Sequence, residues 1–231
     1  FEMIIDLQNS QRTSFYAFLI NLFSSTKING TSRFVTHRYK YLTTKMPSVI
    51  DGLSNQIEIL GIKTSRKPYL SWLNNPILNI AEVKNKNFFI INPGCSKKNH
   101  QKLWAAENYA KVCTYLISNK ILPVVIGTSQ DEDVINLVTN NESRVINLIN
   151  KSPLNIIFQL SRTALGAISN DTGPAHLISA TGCKLHLVLS SFSDVKTVVP
   201  QGNNVSFTQK KNINDILVED IIQELKMIFK L

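Results

Sequence analysis

The sequence predicts an α/β protein built on a doubly wound parallel sheet, with a Pro-, Asn- and Lys-rich linker at 64–87 ahead of its most regular part. Short apolar runs such as 121–126 and 185–189 alternate with helical patterns, which is the mark of right-handed βαβ units. The run at 121–126 is apolar without interruption, as strands covered on both faces are. Glycines, hydroxyl residues and carboxylates gather where the strands should end, and in such sheets ligands bind outside the carboxyl ends of the strands.

In chain order, residues 1–7 read as a strand around Met3-Ile4-Ile5. Residues 10–23 read as a helix with Phe15, Phe18, Leu19 and Leu22 on one stripe. Asn29-Gly30 marks a turn, and 33–41 has no clear period. Residues 47–60 form a second helix, with Val49, Ile50, Leu53, Ile57 and Leu60 on its apolar side and Gly61 as its stop. Residues 64–87, rich in Pro, Asn and Lys, read as the linker.

From Phe88 the alternation becomes regular. Strands are expected at 88–92, 121–126, 145–148, 164–169 and 185–189. Helices are expected at 107–119, 131–139, 153–161, 172–180 and 215–229. Tyr109, Val112, Cys113 and Leu116 face inward on the first of these, and the second has an acidic first turn that suits its dipole. Ser152-Pro153 reads as an N-cap with Pro at the first helical position. Ile216, Ile221, Ile222, Leu225 and Phe229 form the apolar side of the last helix.

Composition narrows the function classes. The chain has 231 residues, a hydrophobic fraction of 43% and a formal charge of +9. No apolar run is long enough to span a bilayer. The chain opens on Phe-Glu-Met-Ile-Ile-Asp, inside a strand and without a basic leader, and is expected to be a piece of a longer protein. Three cysteines, Cys95, Cys113 and Cys183, have no metal-ligand spacing and read as small apolar residues in a reducing compartment. The basic balance suits phosphorylated ligands or an anionic membrane surface; a Lys- and Asn-rich compositional drift accounts for it equally. No helix-turn-helix, RNP motif or zinc finger is present, so nucleic acid is not an expected partner.

Four strand-to-helix junctions carry chemistry. In Asn92-Pro93-Gly94-Cys95-Ser96, Gly94 and Ser96 sit on a tight turn that lets backbone amides approach an anion, and Lys97, Lys98 and Lys102 follow as charges for phosphate. An ordinary turn before a solvated basic loop explains the same residues. Gly127-Thr128-Ser129-Gln130-Asp131-Glu132 offers Gly127 and Ser129 for close approach and Asp131 for ribose hydroxyls; alternatively the acids serve only the helix dipole. Asn170-Asp171-Thr172-Gly173-Pro174-Ala175-His176 places Asp171 at a strand end, and the amides of Thr172 and Gly173 at a helix mouth suited to a diphosphate. Pro174 starts that helix without wasting a donor. A plain capped helix with an inward His176 is the competing reading. Ser190-Ser191-Phe192-Ser193-Asp194 either touches a ligand through its hydroxyls or is a polar loop.

Taken together, Pro93-Gly94, Lys102, the run Trp104-Ala105-Ala106-Glu107-Asn108-Tyr109-Ala110, the Gly127 loop, Asn147-Leu148 and Asn170 to His176 resemble, in order and spacing, the lipopolysaccharide heptosyltransferases of glycosyltransferase family 9. The resemblance covers 88–231 well and reaches more faintly to Ile4-Ile5-Asp6-Leu7-Gln8 and Arg12-Thr13-Ser14. It implies a two-domain GT-B fold of two Rossmann-like halves: a partial acceptor-side domain with the linker in 1–80, and a nucleotide-sugar-binding domain in 81–231. By the same resemblance, Lys102 faces the donor phosphates and stabilises the leaving group. Asp131 or a neighbour meets the ribose, Asp171, Thr172 and Gly173 form the donor turn, and His176 shares that helix face. The family's general-base aspartate lies on a Gly-rich loop that would precede Phe1; Asp6 and Asp51 do not match it. The chain departs from the family at Asn92, where His is commoner, and at Leu189-Ser190-Ser191-Phe192-Ser193, where the family has Phe-Gly-Pro-Thr.

The resemblance implies an inverting glycosyltransferase that moves heptose or a related sugar from ADP-heptose or a similar donor to a lipopolysaccharide-core glycolipid. It needs no cofactor and no metal, and it implies a cytoplasmic protein that can lie peripherally on the anionic inner membrane. The alternative is a non-catalytic nucleotide-sugar-binding module or degenerate paralogue. A GT-B-shaped epimerase would need acid and base residues facing the sugar carbon from both domains, and no such set is seen.

Overall fold

The computed structural model describes residues 1–40, 48–65, 67–74, 81–95, 100–139, 142–200 and 202–229. The chain divides into two compact units, Phe1–Pro68 and Tyr69–Leu231, a division that falls ahead of residue 80.

The first unit holds a parallel sheet of β1 (Met3–Ile5), β2 (Lys27–Gly30) and β3 (His37–Arg38) in that order. Asp6 ends β1, because its Oδ1 accepts the amides of Gln8 and Asn9, both at 3.0 Å. The crossover helix α1 (Gln11–Phe23) starts at a reciprocal cap between Ser10 and Thr13. Its expected stripe is not its buried face. Only Ala17 is buried, while Phe15, Phe18 and Leu22 are exposed. The run from Phe15 to Leu22 is apolar on nearly every side, so the sequence defines no single stripe, and the small residue lies inward.

Helix α2 (Val49–Glu58), capped by Ser48 through the Asp51 amide at 3.2 Å, is also turned from its expected face. Gly52, Ser54 and Gln56 are buried, whereas Val49 and Ile50 are exposed. Gln56 decides this. Its Nε2 donates to Asp6 O (2.8 Å) and Asn29 Oδ1 (2.9 Å), and its Oε1 accepts from Asn9 Nδ2 (2.7 Å). Asn29 Nδ2 in turn donates to the carbonyls of Gln56 (3.1 Å) and His37 (3.2 Å). A buried amide must satisfy its donors and acceptor, and turning the helix does so at the expense of apolar burial. Asn29-Gly30 is therefore the buried end of β2 rather than a turn. The expected linker, where described, is partly packed: turns at Ser71–Leu73 and Ala81–Val83 bury Leu73 and Val83.

The second unit is a six-stranded, wholly parallel sheet. Its strands are β4 (Phe88–Asn92), β5 (Leu122–Gly127), β6 (Ile146–Ile149), β7 (Gly166–Ser169), β8 (Leu185–Ser190) and β9 (Val205–Lys210). Their spatial order is β6-β5-β4-β7-β8-β9. This is the dinucleotide-fold order, and it reverses direction between β4 and β7, where a ligand crevice is expected. Helices α3 (Ala106–Ser118), α4 (Glu132–Thr139), α5 (Leu154–Thr163), α6 (Gly173–Ala180), α7 (Val195–Val198) and α8 (Val218–Phe229) complete the unit.

Successive residues of each central strand feed opposite cores. Phe89, Ile91, Val125, Ile168 and Val188 pack with Tyr109, Val112, Cys113 and Leu116 of α3 and Ile221 and Leu225 of α8. Phe88, Ile90, Val124, Ile126, Ala167 and Leu187 pack with Ile157, Leu160, Ala175 and Ile178 of α5 and α6. Burial pushes the thiols of Cys113 and Cys183 up to about 12, so both behave as apolar residues.

Three local expectations change. Helix α5 has Pro153 as its N-cap residue with no side-chain cap, because Ser152 Oγ donates to Leu148 O (3.1 Å). Strand β7 begins only at Gly166, where a Cβ would lie 2.0 Å from the Phe229 ring. Strand β9 is new: a half-exposed edge strand whose Ser206 and Thr208 hydroxyls bracket the His186 imidazole of β8 at 2.8 and 3.1 Å.

Candidate functional site

The carboxyl ends of β4, β5 and β7 enclose a cavity of ≈ 170 Å³ lined by Asn92, Gly94, Cys95, Gly127, Thr128, Gln130, Asp131, Thr172 and Pro174. Its floor is built from side-chain amides. Asn92, at the end of β4, donates through Nδ2 to Ser169 Oγ (2.8 Å) and Thr172 Oγ1 (2.7 Å). Asn170, fully buried after β7, donates to Pro93 O (2.8 Å) and accepts from the Tyr109 hydroxyl (2.9 Å). Burial, with the nearby Cys95 adding to it, raises the Tyr109 phenol well above 10, so it remains a donor. Trp104 is locked by Nε1 to Ile216 O (3.0 Å) and stands edge-on to Tyr109. Trp104, Tyr109 and Asn170 thus shape the turn, while Asn92, held by the same network, also lines the cavity.

One end of the cavity is acidic. Asp131 closes the turn before α4: its Oδ2 accepts from the Thr128 amide and hydroxyl, both at 3.0 Å. Gly94 makes room for this carboxylate, and Gly127 chiefly for Ile135. A Cβ on Gly94 would lie 2.4 Å from Asp131 Oδ1, and one on Gly127 would lie 2.4 Å from Ile135 Cδ1 and 3.4 Å from Asp131 Oδ2. Gly94 therefore faces a carboxylate, which repels an anion and favours hydroxyl donors. Ser129 is exposed and its amide is held by Asn150 Oδ1 at 2.7 Å; Gln130, not Ser129, lines the cavity.

Beyond it lies the mouth of α6. Thr172 is its N-cap residue but gives no side-chain cap, because its hydroxyl is taken by Asn92. Gly173 is exposed with nothing within 4 Å of a built Cβ, so open space lies beside the first turn. Pro174 occupies the first turn and lines the cavity, as the sequence suggests. Such a helix end attracts anions. Next to it, Lys102 Nζ meets Asp171 Oδ2 at 2.7 Å across 69 residues of sequence. Ser193 Oγ donates to the same oxygen at 2.9 Å.

The structure therefore gathers Gly94, Gly127, Asp131, Thr172 and Pro174 around one cavity and pairs Lys102 with Asp171. His176 is exposed rather than turned into the core. Ser96, Lys97 and Lys98 lie outside the described residues. Sequence reading did not single out the role of Thr128 as a cap, although Thr128-x-x-Asp131 is a capping-box spacing. Among the described residues no cluster of His, Cys, Asp or Glu forms a metal site, and no helix is long and apolar enough to cross a membrane. Asp6, which caps its own turn, and Asp51, which accepts from Ser48 Oγ at 2.8 Å, belong to the first unit.

Solved structures share the fold. A family 9 glycosyl transferase from Veillonella parvula superposes with a TM-score of 0.78 at 18% identity, covering 99% of this chain and 74% of its own. E. coli ADP-heptose lps heptosyltransferase II gives 0.74 at 15% identity, with coverages of 100% and 77%. E. coli heptosyltransferase WaaC, solved with ADP-2-deoxy-2-fluoro heptose, gives 0.71 at 15% identity, with coverages of 98% and 72%. The mixed α/β architecture with parallel sheets is the GT-B type of these enzymes. No curated protein sequence matches the chain. The model of glycosyltransferase family 9 (heptosyltransferase) matches residues 1–185. That span takes in the whole first unit, where the sequence resemblance is fainter, and stops at the first residue of β8, before the Ser190–Ser193 loop. With most of its length matched to that model, this chain belongs to glycosyltransferase family 9, the heptosyltransferase family.

Proposed function

We propose that the second unit binds a nucleoside-diphosphate sugar, ADP-heptose or a close relative, and that the protein transfers the sugar with inversion to a lipopolysaccharide-core glycolipid. The observation that carries this reading is the polarity of the crevice. A carboxylate, Asp131, sits at one end, and a lysine with an open helix N-terminus sits at the other. Ribose hydroxyls suit the first, and the diphosphate suits the second.

In the reaction, a base removes the acceptor hydroxyl proton as that oxygen attacks the anomeric carbon. The bond from that carbon to the diphosphate breaks on the opposite face, which inverts the centre. Lys102 and the α6 amides stabilise the charge that gathers on the departing ADP. Asp171 holds the lysine ready, so the diphosphate competes for an ammonium already in place. In this reading residues 81–231 serve the donor and residues 1–80 the acceptor. No metal takes part. The formal charge of +9 suits an anionic glycolipid at the cytoplasmic face of the membrane.

Titration calorimetry with ADP tests the donor site. Binding should be lost in large part in Lys102→Ala and Asp171→Ala, by about 10-fold each, as for one charge-assisted hydrogen bond of ~1.5 kcal/mol. No binding at millimolar ADP, or binding indifferent to Asp171→Ala, overturns the assignment. The Ser190–Ser193 loop, which lacks the family's Phe-Gly-Pro-Thr, favours a second reading as a binding module without turnover. ADP binding with no ADP released from ADP-heptose in the presence of acceptor would select it.

A further inference from the structure

The loop after β8 lies beyond the span that the family model matches, yet it is tied to Asp171 and Lys102 at one end of the crevice. We infer that Ser193 is a positioning residue for Lys102, acting through Asp171, and that Gln209 on the edge strand β9 sets its place. This deepens the donor-site reading given above.

The two donors to Asp171 converge on a single atom. Lys102 Nζ and Ser193 Oγ reach Oδ2 at 2.7 and 2.9 Å. A carboxylate held through one oxygen by two donors from different elements cannot turn about its last torsion without losing one of them. Its other oxygen, Oδ1, makes no hydrogen bond among the described residues and is left for a ligand hydroxyl. Ser193 is 1% exposed, so its hydroxyl is not freed by water.

The loop that carries Ser193 is fastened from the side. The Ser193 amide donates to Ser190 O at 3.0 Å. Gln209 Nε2 donates to both Ser190 O (3.0 Å) and Ser193 O (2.9 Å). Gln209 belongs to β9, whose register places it beside Leu189 at the end of β8. A chain of contacts thus runs from Gln209 to the Ser190–Ser193 turn, to Asp171, to Lys102. Hydroxyl chemistry at position 193 and an amide at 209 are what the chain requires. Phe192, exposed on the same loop, and Ser191, which donates to Lys211 O at 3.0 Å, take no part in it.

The test reads Lys102 without needing a ligand. Limited acylation of the folded protein with an amine-reactive ester, followed by peptide mass spectrometry, gives the labelling rate of Lys102 relative to other lysines. An amine freed from its carboxylate labels faster. Ser193→Ala should raise the rate about 3- to 5-fold, Asp171→Asn at least as much, and Ser193→Thr should return it toward wild type. Gln209→Ala, at an exposed position that does not touch Asp171, should shift it in the same direction as Ser193→Ala. A Lys102 rate within twofold of wild type in Ser193→Ala, while Asp171→Asn raises it, overturns the proposal. If Ser193→Ala does not fold, the same threshold applied to Gln209→Ala decides. ADP titration of the same variants separates the two readings. Labelling that follows this pattern in a protein that does not bind ADP upholds the positioning role and removes the donor assignment.

Discussion

His186 should make the second unit acid-sensitive, and the size of the effect follows from its surroundings. The imidazole is fully buried in β8 between two hydroxyls of β9, with no carboxylate bonded to it among the described residues. Burial lowers it from 6.5 to about 4, since the charged form has no water to solvate it. Between those two values the unfolded chain binds the proton and the folded chain does not. Stability is therefore complete above pH 6.5, falls as the pH drops through the window, and stops changing below 4. A shift of that size is worth about 3 kcal/mol in full, and about 2 kcal/mol of it is already lost at pH 5. Urea unfolding at pH 7.5 and pH 5, followed by tryptophan emission, measures it. Trp104 is wholly buried in this unit, whereas Trp72 is exposed, so the emission change reports Trp104. His186→Gln keeps an amide between the hydroxyls but carries no titrating group. Carboxylates elsewhere contribute equally to both proteins and cancel in the comparison. Wild type should lose about 2 kcal/mol more than the variant on going to pH 5. Equal losses would show that the imidazole is not held neutral, and the reasoning would fail.

Three further outcomes follow from single contacts. Gly94→Ala places a Cβ 2.4 Å from Asp131 Oδ1 and should displace that carboxylate, weakening ADP binding about 10-fold in calorimetry with a small change in Tm. Gly166→Ala drives a Cβ to 2.0 Å from the Phe229 ring and should cost about 1–3 kcal/mol in urea unfolding; pairing it with Phe229→Leu should recover part of the loss. Asn170→Ala removes the partner of the buried Tyr109 hydroxyl and of Pro93 O and should destabilise the second unit by about 2–4 kcal/mol, whereas Asp171→Asn, which keeps the shape of a side chain that is only partly buried, should lower Tm far less.

The strands of the central sheet were legible because burial on both faces leaves a nearly continuous apolar run, as at Phe88–Ile91 and Leu122–Ile126. Helix α3 was legible for the opposite reason: one buried stripe, Tyr109 to Leu116, against a polar remainder. The edge strand β9 was not, since half of it faces water and its inward Ser206 and Thr208 serve a histidine instead of a core. The first unit misled in a different way. Apolar periodicity in α2 points to Val49 and Ile50, but the buried amides of Asn29 and Gln56 complete each other's hydrogen bonds and so turn the helix.

The sequence by itself determined the alternation of strands and helices, the family, and the local chemistry of each junction: the Pro93-Gly94 turn, the Gly127 loop, and Asp171 to Pro174 at a helix mouth. These are properties of neighbouring residues, and local propensity records them. Only the tertiary structure decided what those junctions do to one another. It set Asp131 against Gly94, brought Lys102 to Asp171 across 69 residues, and placed Ser193 on the same carboxylate oxygen with Gln209 behind it. The strand order that reverses between β4 and β7 makes those meetings, and no window along the chain contains it.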